Sequence, residues 1–195
     1  MTTTEFPAGE CSGHRCHHGQ VPEIRPFAER DLPAVVDLSL RAWEPVFTSL
    51  RRVLGDAIFL RLHPNWAAGQ AEAVRGSCSD PDLAVHVAAE DGRPVGFVAV
   101  ALNAYHQRMG AIEIIAVDPD HQRRGIGRDL IQHALGTMAA AGMDIAVVET
   151  GGDPGHAPAR STYEATGFAL LPIARYSSCC TPTTRHTGDG PPRWW

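Results

Sequence analysis

Between His121 and Gly127 the chain reads HQRRGIG. Two glycines, flanked by Arg123, Arg124 and Arg128, open a stretch with helical spacing, and an apolar run ends just before them. This arrangement suits an anion. Unpaired N–H groups of a first helical turn point outward, the helix dipole adds partial positive charge, and glycine lets the backbone approach a ligand closely. A phosphate-bearing ligand is the fitting guest. The turn is not a P-loop, since no Gly-Lys-Ser/Thr ends it, and Gly125-Ile126-Gly127 lacks the third glycine of the dinucleotide fingerprint. Taken alone, the glycine pair also fits a basic helix start that binds nothing. Glu113 is the second residue that asks for a reason, because it interrupts the apolar run IEIIAV (112–117). Burying a carboxylate alone is costly, so it must face water or a partner. Near the N-terminus, Cys11, His14, Cys16, His17 and His18 crowd together. Such a cluster can hold zinc or nickel, but it lacks a second ligand pair at finger spacing, so no metal site is expected.

The elements that must position these residues read as mixed α and β. EIRPF (23–27) is a strand candidate. DLPAVVDLSLRAW follows as a helix, with Asp31 as N-cap and Pro33 in the first turn. GDAIFLRLHPNWAAGQAEAVRG is a second helical region, interrupted at Pro64. LAVHVAAE and PVGFVAVAL are strands joined across DGR, a tight-hairpin signal. The strand 112–117 leads through the glycine turn into a helix over 128–142. Leu130, Ile131, Ala134, Leu135 and Met138 share one face of that helix, and Gly142 stops it. IAVVE (145–149) is then a strand parallel to 112–117, joined by a right-handed crossover. A short helix, APARSTYEAT, runs between Pro158 and Gly167, and FALLPIARY is expected to close the core as a last strand.

The 195-residue chain, 44% hydrophobic and 20% charged, suits one domain with a real core. A net charge of −5 argues against a general binder of nucleic acid or anionic membranes. No apolar run approaches the roughly 20 residues of a membrane span, and the N-terminus has no signal-peptide core, so the expected location is the cytoplasm. Four of the five cysteines lie near the ends, which is not a disulfide framework. Residues 1–20 and 177–195 read as flexible tails around a domain at 21–176. The terminal Trp194 and Trp195 have no account in this reading.

The segment VDPDHQRRGIG resembles the acyl-CoA-binding motif of the GNAT superfamily of N-acyltransferases, Gln/Arg-x-x-Gly-x-Gly/Ala, matched at Gln122, Gly125 and Gly127. TYEATGF (162–168) is similar to the family's second signature, a helix carrying a tyrosine followed by Gly-Phe. The element order from about 23 to 176 agrees. The resemblance implies a GNAT fold: a mostly antiparallel sheet flanked by helices, with a parallel pair, 112–117 and 145–149, that splays apart. It implies acetyl-CoA in that V, with Ala116, Val117, Gln122, Arg123, Arg124, Gly125, Ile126, Gly127 and Arg128 around its pyrophosphate and thioester arm.

The implied activity is transfer of an acetyl group from acetyl-CoA to a primary amine of a small molecule or peptide, by direct attack in a ternary complex. A protein N-terminal or lysine acetyltransferase is the alternative within that class, and a non-catalytic acyl-CoA sensor is the alternative outside it. A longer acyl donor, such as succinyl-CoA, stays open. Tyr163 matches the family's tyrosine, which points at the sulfur. Its phenol can protonate a thiolate of similar basicity. Glu113 resembles the strand glutamate of histone-type members, at a shorter spacing to the glycine turn. Glu149 resembles the glutamate of peptide acetyltransferases, with a slightly longer loop before the tyrosine. Either can activate a water or the amine. His156 stands where the family often has an asparagine that contacts the pantetheine arm; it is a candidate to bind the cofactor in that asparagine's place, while helix capping or loop exposure is the favoured reading. The other histidines, His86, His106 and His133, read as structural or surface residues. Trp43, Glu44, Phe47 and Trp66, with Tyr105, are placed to shape an acceptor pocket, although aromatics at helical spacing more often build core. Family members often form homodimers, and no pattern here shows one.

Overall fold

The structure is a computed structural model, and it describes residues 21–179. Strand β1 (Glu23–Pro26) leads through a 3-10 turn (Glu29–Asp31) into α1 (Leu32–Leu54). Helices α2 (Asp56–Leu62) and α3 (Trp66–Ser79) follow, separated around Pro64, which cannot donate to a helix ladder. Strands β2 (Leu83–Glu90) and β3 (Arg93–Ala101) form the hairpin expected from Asp91-Gly92, both of which take positive φ, 49° and 78°. Then come β4 (Met109–Val117), α4 (Ile126–Ala140), β5 (Ile145–Val148) and α5 (Ala157–Ala165).

The sheet order is β1-β2-β3-β4-β5, antiparallel except for the parallel β4–β5 pair. Helices cover both faces. On one side α4 and Tyr163 of α5 pack against Val98, Val100 and Ile112. On the other, Val35 and Leu38 of α1 and Val74 of α3 enclose Phe97 and Ala116. The expected apolar face of α4 is the observed one: Leu130, Ile131, Ala134 and Met138 are buried, and Leu135 is partly so. Among the described residues no helix is long and apolar enough to cross a membrane.

Two local expectations fail. Asp31 stands before α1, but its carboxylate does not cap it. It accepts from the Ala28 N–H and from Arg25 at 2.7 and 2.9 Å, fixing the turn between β1 and α1. The hydrogen-bonded guanidinium of Arg25 outweighs the opposing effect of burial and holds the Asp31 carboxyl below its ordinary range. The stretch FALLPIARY forms no strand. Phe168 donates to the Tyr163 carbonyl as the helix closes, and beyond it Leu170, Leu171, Ile173 and Tyr176 stand 70–93% exposed. An apolar composition favours a strand only where a neighbouring edge pairs with it, and Pro172 removes one donor from any such ladder. The Cys/His-rich cluster at 11–18 and both terminal tryptophans lie outside the described residues.

Candidate active site

The splay between β4 and β5 begins at Glu113. Pairing joins Met109–Ile112 to Ile145–Val148 and then stops, although β4 runs on to Val117. On its other edge β4 pairs Ile114 with Ala99 and Ile112 with Val100, so Glu113 is the extra residue of a β-bulge. This explains how a carboxylate fits an apolar strand. The bulge shifts the alternation by one, so that Ile112 and Ile115 face α4 while Ile114 and Ala116 face α1, and Glu113 is left exposed. Its side chain borders a hollow of about 450 Å³ that Asp80, Ser77 and Ala104 also line.

Beside the splay lies the turn 118–128. The Asp118 carboxylate accepts from the Asp120 N–H at 2.9 Å and from Arg41 of α1 at 2.8 Å, so the turn is tied to the opposite face of the sheet. The Gln122 side-chain amide donates to the Val117 carbonyl at 3.1 Å, which closes the loop against the strand end. Gly125 is the N-cap of α4 with φ +88°, a left-handed conformation that a side chain disfavours. It offers no capping side chain. The Asp129 N–H bonds the Gly125 carbonyl, so the N–H groups of Ile126, Gly127 and Arg128 are the orphans of this helix end. Nothing in the protein demands glycine at 127, where an added Cβ would make only an ordinary 3.7 Å contact with Val117. Arg124 is held by Glu90, whereas Arg123 and Arg128 make no ion pair among the described residues. Ile126 is buried and anchors the turn to the core.

The far wall is polar and aromatic. Tyr163 projects from α5 into the core, 8% exposed and edge-on to Phe168 at 5.9 Å between centroids. Burial pushes its phenol up to about 12. Glu149 is exposed at the end of β5. The loop 102–108 brings Tyr105 near both carboxylates: burial raises its phenol first, and then the charges of Glu149 and Glu113. Glu113, Glu149 and Tyr105 therefore share one mouth. Trp43, Phe47 and Trp66 form an aromatic run from α1 to α3, with Phe47 stacked on Trp66 at 4.7 Å between centroids, Trp43 tilted against it, and Phe47 buried. His156 occupies the N-cap position of α5 without capping it, contrary to the sequence reading. It packs against Trp43 and bonds Asp153 instead. Asp153 and Ser49 escaped the sequence reading, although the Asx-turn spelling DPGH was a visible signal for the first.

Residues 43–168 match the acetyltransferase (GNAT) family. The chain belongs to that family. The GNAT match carries both motifs and all five strands except β1. The streptothricin acetyltransferase of Streptomyces lavendulae is 34% identical over 123 residues, 63% of each chain. A mycothiol acetyltransferase from Thermomonospora curvata is 28% identical over 157 residues, 76% of this chain and 51% of that one. The chain thus spans under two thirds of the length of these relatives. The PaiA N-acetyltransferase of Thermoplasma acidophilum, solved in complex with coenzyme A, superposes with a TM-score of 0.62 at 16% identity, covering 80% of this chain and 94% of that one. At such identity the likeness establishes the shared GNAT fold.

Proposed function

We propose that a domain at residues 21–176 transfers the acetyl group of acetyl-CoA to a primary amine of a small molecule by direct attack in a ternary complex. The observation that carries this reading is the set of orphan N–H groups at Ile126, Gly127 and Arg128, beside a strand pair that separates at the Glu113 bulge. A pyrophosphate fits the helix end, with Arg123 and Arg128 free to join it. Arg124 would have to leave Glu90 to do so. The backbone of Ala116 and Val117, unpaired on the β5 side, is placed to meet the thioester arm.

The chemistry then needs three things. The acceptor ammonium must be drawn in and lose a proton, the oxyanion needs a donor, and the leaving thiolate needs a proton. Glu113 and Glu149 supply negative charge at the mouth and are candidates to start the proton relay. A backbone N–H near Val117 faces the developing oxyanion. Tyr163 donates its phenolic proton as the C–S bond breaks and the C–N bond forms, and solvent restores it. Burial makes this phenol a weaker acid than an ordinary tyrosine, so the donor role rests on its place in the family motif and not on enhanced acidity. Holding the two substrates together supplies much of the remaining rate. The small-molecule reading gains support from the relatives named for streptothricin and mycothiol, and from the aromatic cluster between α1 and α3.

Calorimetric titration with acetyl-CoA and with free CoA tests the reading. Wild-type binding that Gly125→Glu abolishes supports it, because the new carboxylate would stand where the phosphates sit. A folded wild type that binds neither ligand overturns it.

A further inference from the structure

The segment between Glu149 and α5 is ordered by more bonds than a connector needs. Asp153 caps the 3-10 turn Pro154–His156, and its carboxylate accepts from the Gly155 N–H at 2.9 Å and from Nδ1 of His156. The same Gly155 N–H also reaches Ser49 Oγ of α1 at 2.9 Å. The Arg160 guanidinium donates to the carbonyls of Gly151 and Asp153. Two glycines permit this close seating. A Cβ at Gly155 would lie 2.7 Å from Ser49 Cβ and 3.0 Å from Val46 Cα, and one at Gly151 would lie 2.5 Å from both Asp153 Oδ1 and His156 Nδ1.

All of this fixes one imidazole. The His156 side chain is 13% exposed and its ring meets Trp43 at 86°. Nδ1 is engaged, while Nε2 bonds nothing among the described residues and is not sealed from solvent. Burial would raise the Asp153 carboxyl, but the hydrogen bonds from Ser49, His156 and Gly155 outweigh it and keep it low. An ionised carboxylate on Nδ1–H sets the tautomer with a bare lone pair on Nε2. Among the described residues neither Glu113 nor Glu149 has a bond that fixes its orientation to this degree.

Resting on the acetyltransferase reading above, we propose that His156, oriented by Asp153, is the catalytic base for the incoming nucleophile. Nε2 takes the proton of the attacking amine as its nitrogen bonds the thioester carbon. The C–S bond breaks, the thiolate takes the Tyr163 proton, and the imidazolium and phenoxide exchange their protons with solvent. Glu113 and Glu149 then serve to gather the cationic acceptor, whose ammonium gives its first proton to solvent before the amine attacks. The groups that meet the imidazole are Asp153 on its own segment and Trp43 of α1; Arg160 ties down the same segment, and Glu44 and Arg52 line a groove of α1 beside Pro154 and Gly155.

The test compares wild type, His156→Gln and Asp153→Asn. Long-range nitrogen–proton spectra read the tautomer, calorimetry reads acetyl-CoA affinity, and CoA release is followed with streptothricin and with water alone as nucleophile. The expected result is Nδ1–H with bare Nε2 in wild type, loss of that tautomer in Asp153→Asn, and CoA release slowed about 10²-fold in His156→Gln with acetyl-CoA affinity unchanged. An Nε2–H tautomer in wild type, undiminished release by His156→Gln, or a wild type that binds acetyl-CoA and releases no CoA with either nucleophile overturns the proposal. The acetyl-CoA-binding reading survives all three. Failure of wild type to bind acetyl-CoA is the separate failure of that reading.

Discussion

The two walls of the cleft are built by different means. The donor wall is one continuous stretch, β4 through the glycine turn into α4, and its residues lie within about 30 positions of one another. The acceptor wall is assembled from α1, α3, the loop 102–108 and the segment 149–163, which meet only after folding. The first is stabilised by apolar burial of α4 on the sheet. The second is held largely by polar bonds and aromatic contacts between distant segments, such as Gly155 with Ser49 and His156 with Trp43. On the function proposed above, binding of the donor substrate is carried by local sequence, and acceptor choice and proton handling by tertiary contacts.

The sharpest way to break this division is at the donor wall. Leu130 is fully buried, so Leu130→Ala removes about 3 kcal/mol of stability and weakens acetyl-CoA binding as the helix end loosens; urea denaturation and calorimetry read the two effects. Tyr163→Phe preserves the packing and removes only the hydroxyl. Turnover falls about 10²-fold while acetyl-CoA affinity holds, and an undiminished rate would remove Tyr163 from the chemistry. At the acceptor wall Gly155→Ala forces the segment off α1 and costs about 1–3 kcal/mol, lowering turnover more than acetyl-CoA affinity. Equal losses in both would show that the walls are not separable.

The smallest effect is a pH slope in the donor half. His86 of β2 and His133 of α4 pack with ring centroids 4.3 Å apart, and His86 Nδ1 and His133 Nε2 are buried without partners. Burial first, and then the charge of His133, hold the His86 imidazole below its ordinary value. The unfolded chain then binds protons that the folded one refuses. The stability contribution is present above the ordinary value near ~6.5 and is lost as pH falls through the depressed one. Thermal melting should drop across that window, and His86→Leu should flatten the drop.

The features that could be read early share a cause. The α4 face, the Asp91-Gly92 hairpin and the glycine turn are written by neighbours in sequence, through helical spacing and backbone preference. Glu113 could be flagged as out of place, but the bulge that accommodates it depends on the register with β3. His156 was misread as a cap because its spacing before α5 is right for one, whereas the competing partner, Asp153, wins the imidazole. FALLPIARY misled for the opposite reason: its composition satisfies a strand, yet a strand needs another backbone to pair with.

By itself the sequence determined an α/β domain with a glycine turn between a strand and a helix, of a kind suited to an anion, because spacing, glycine placement and charge are local properties. Only the tertiary structure decided that Glu113, Glu149 and Tyr105 share one mouth, that Arg124 is tied to Glu90, and that Asp153 and Ser49 seat His156 against Trp43. Those arrangements depend on bonds between residues up to 106 positions apart, and no periodicity along the chain encodes such a distance.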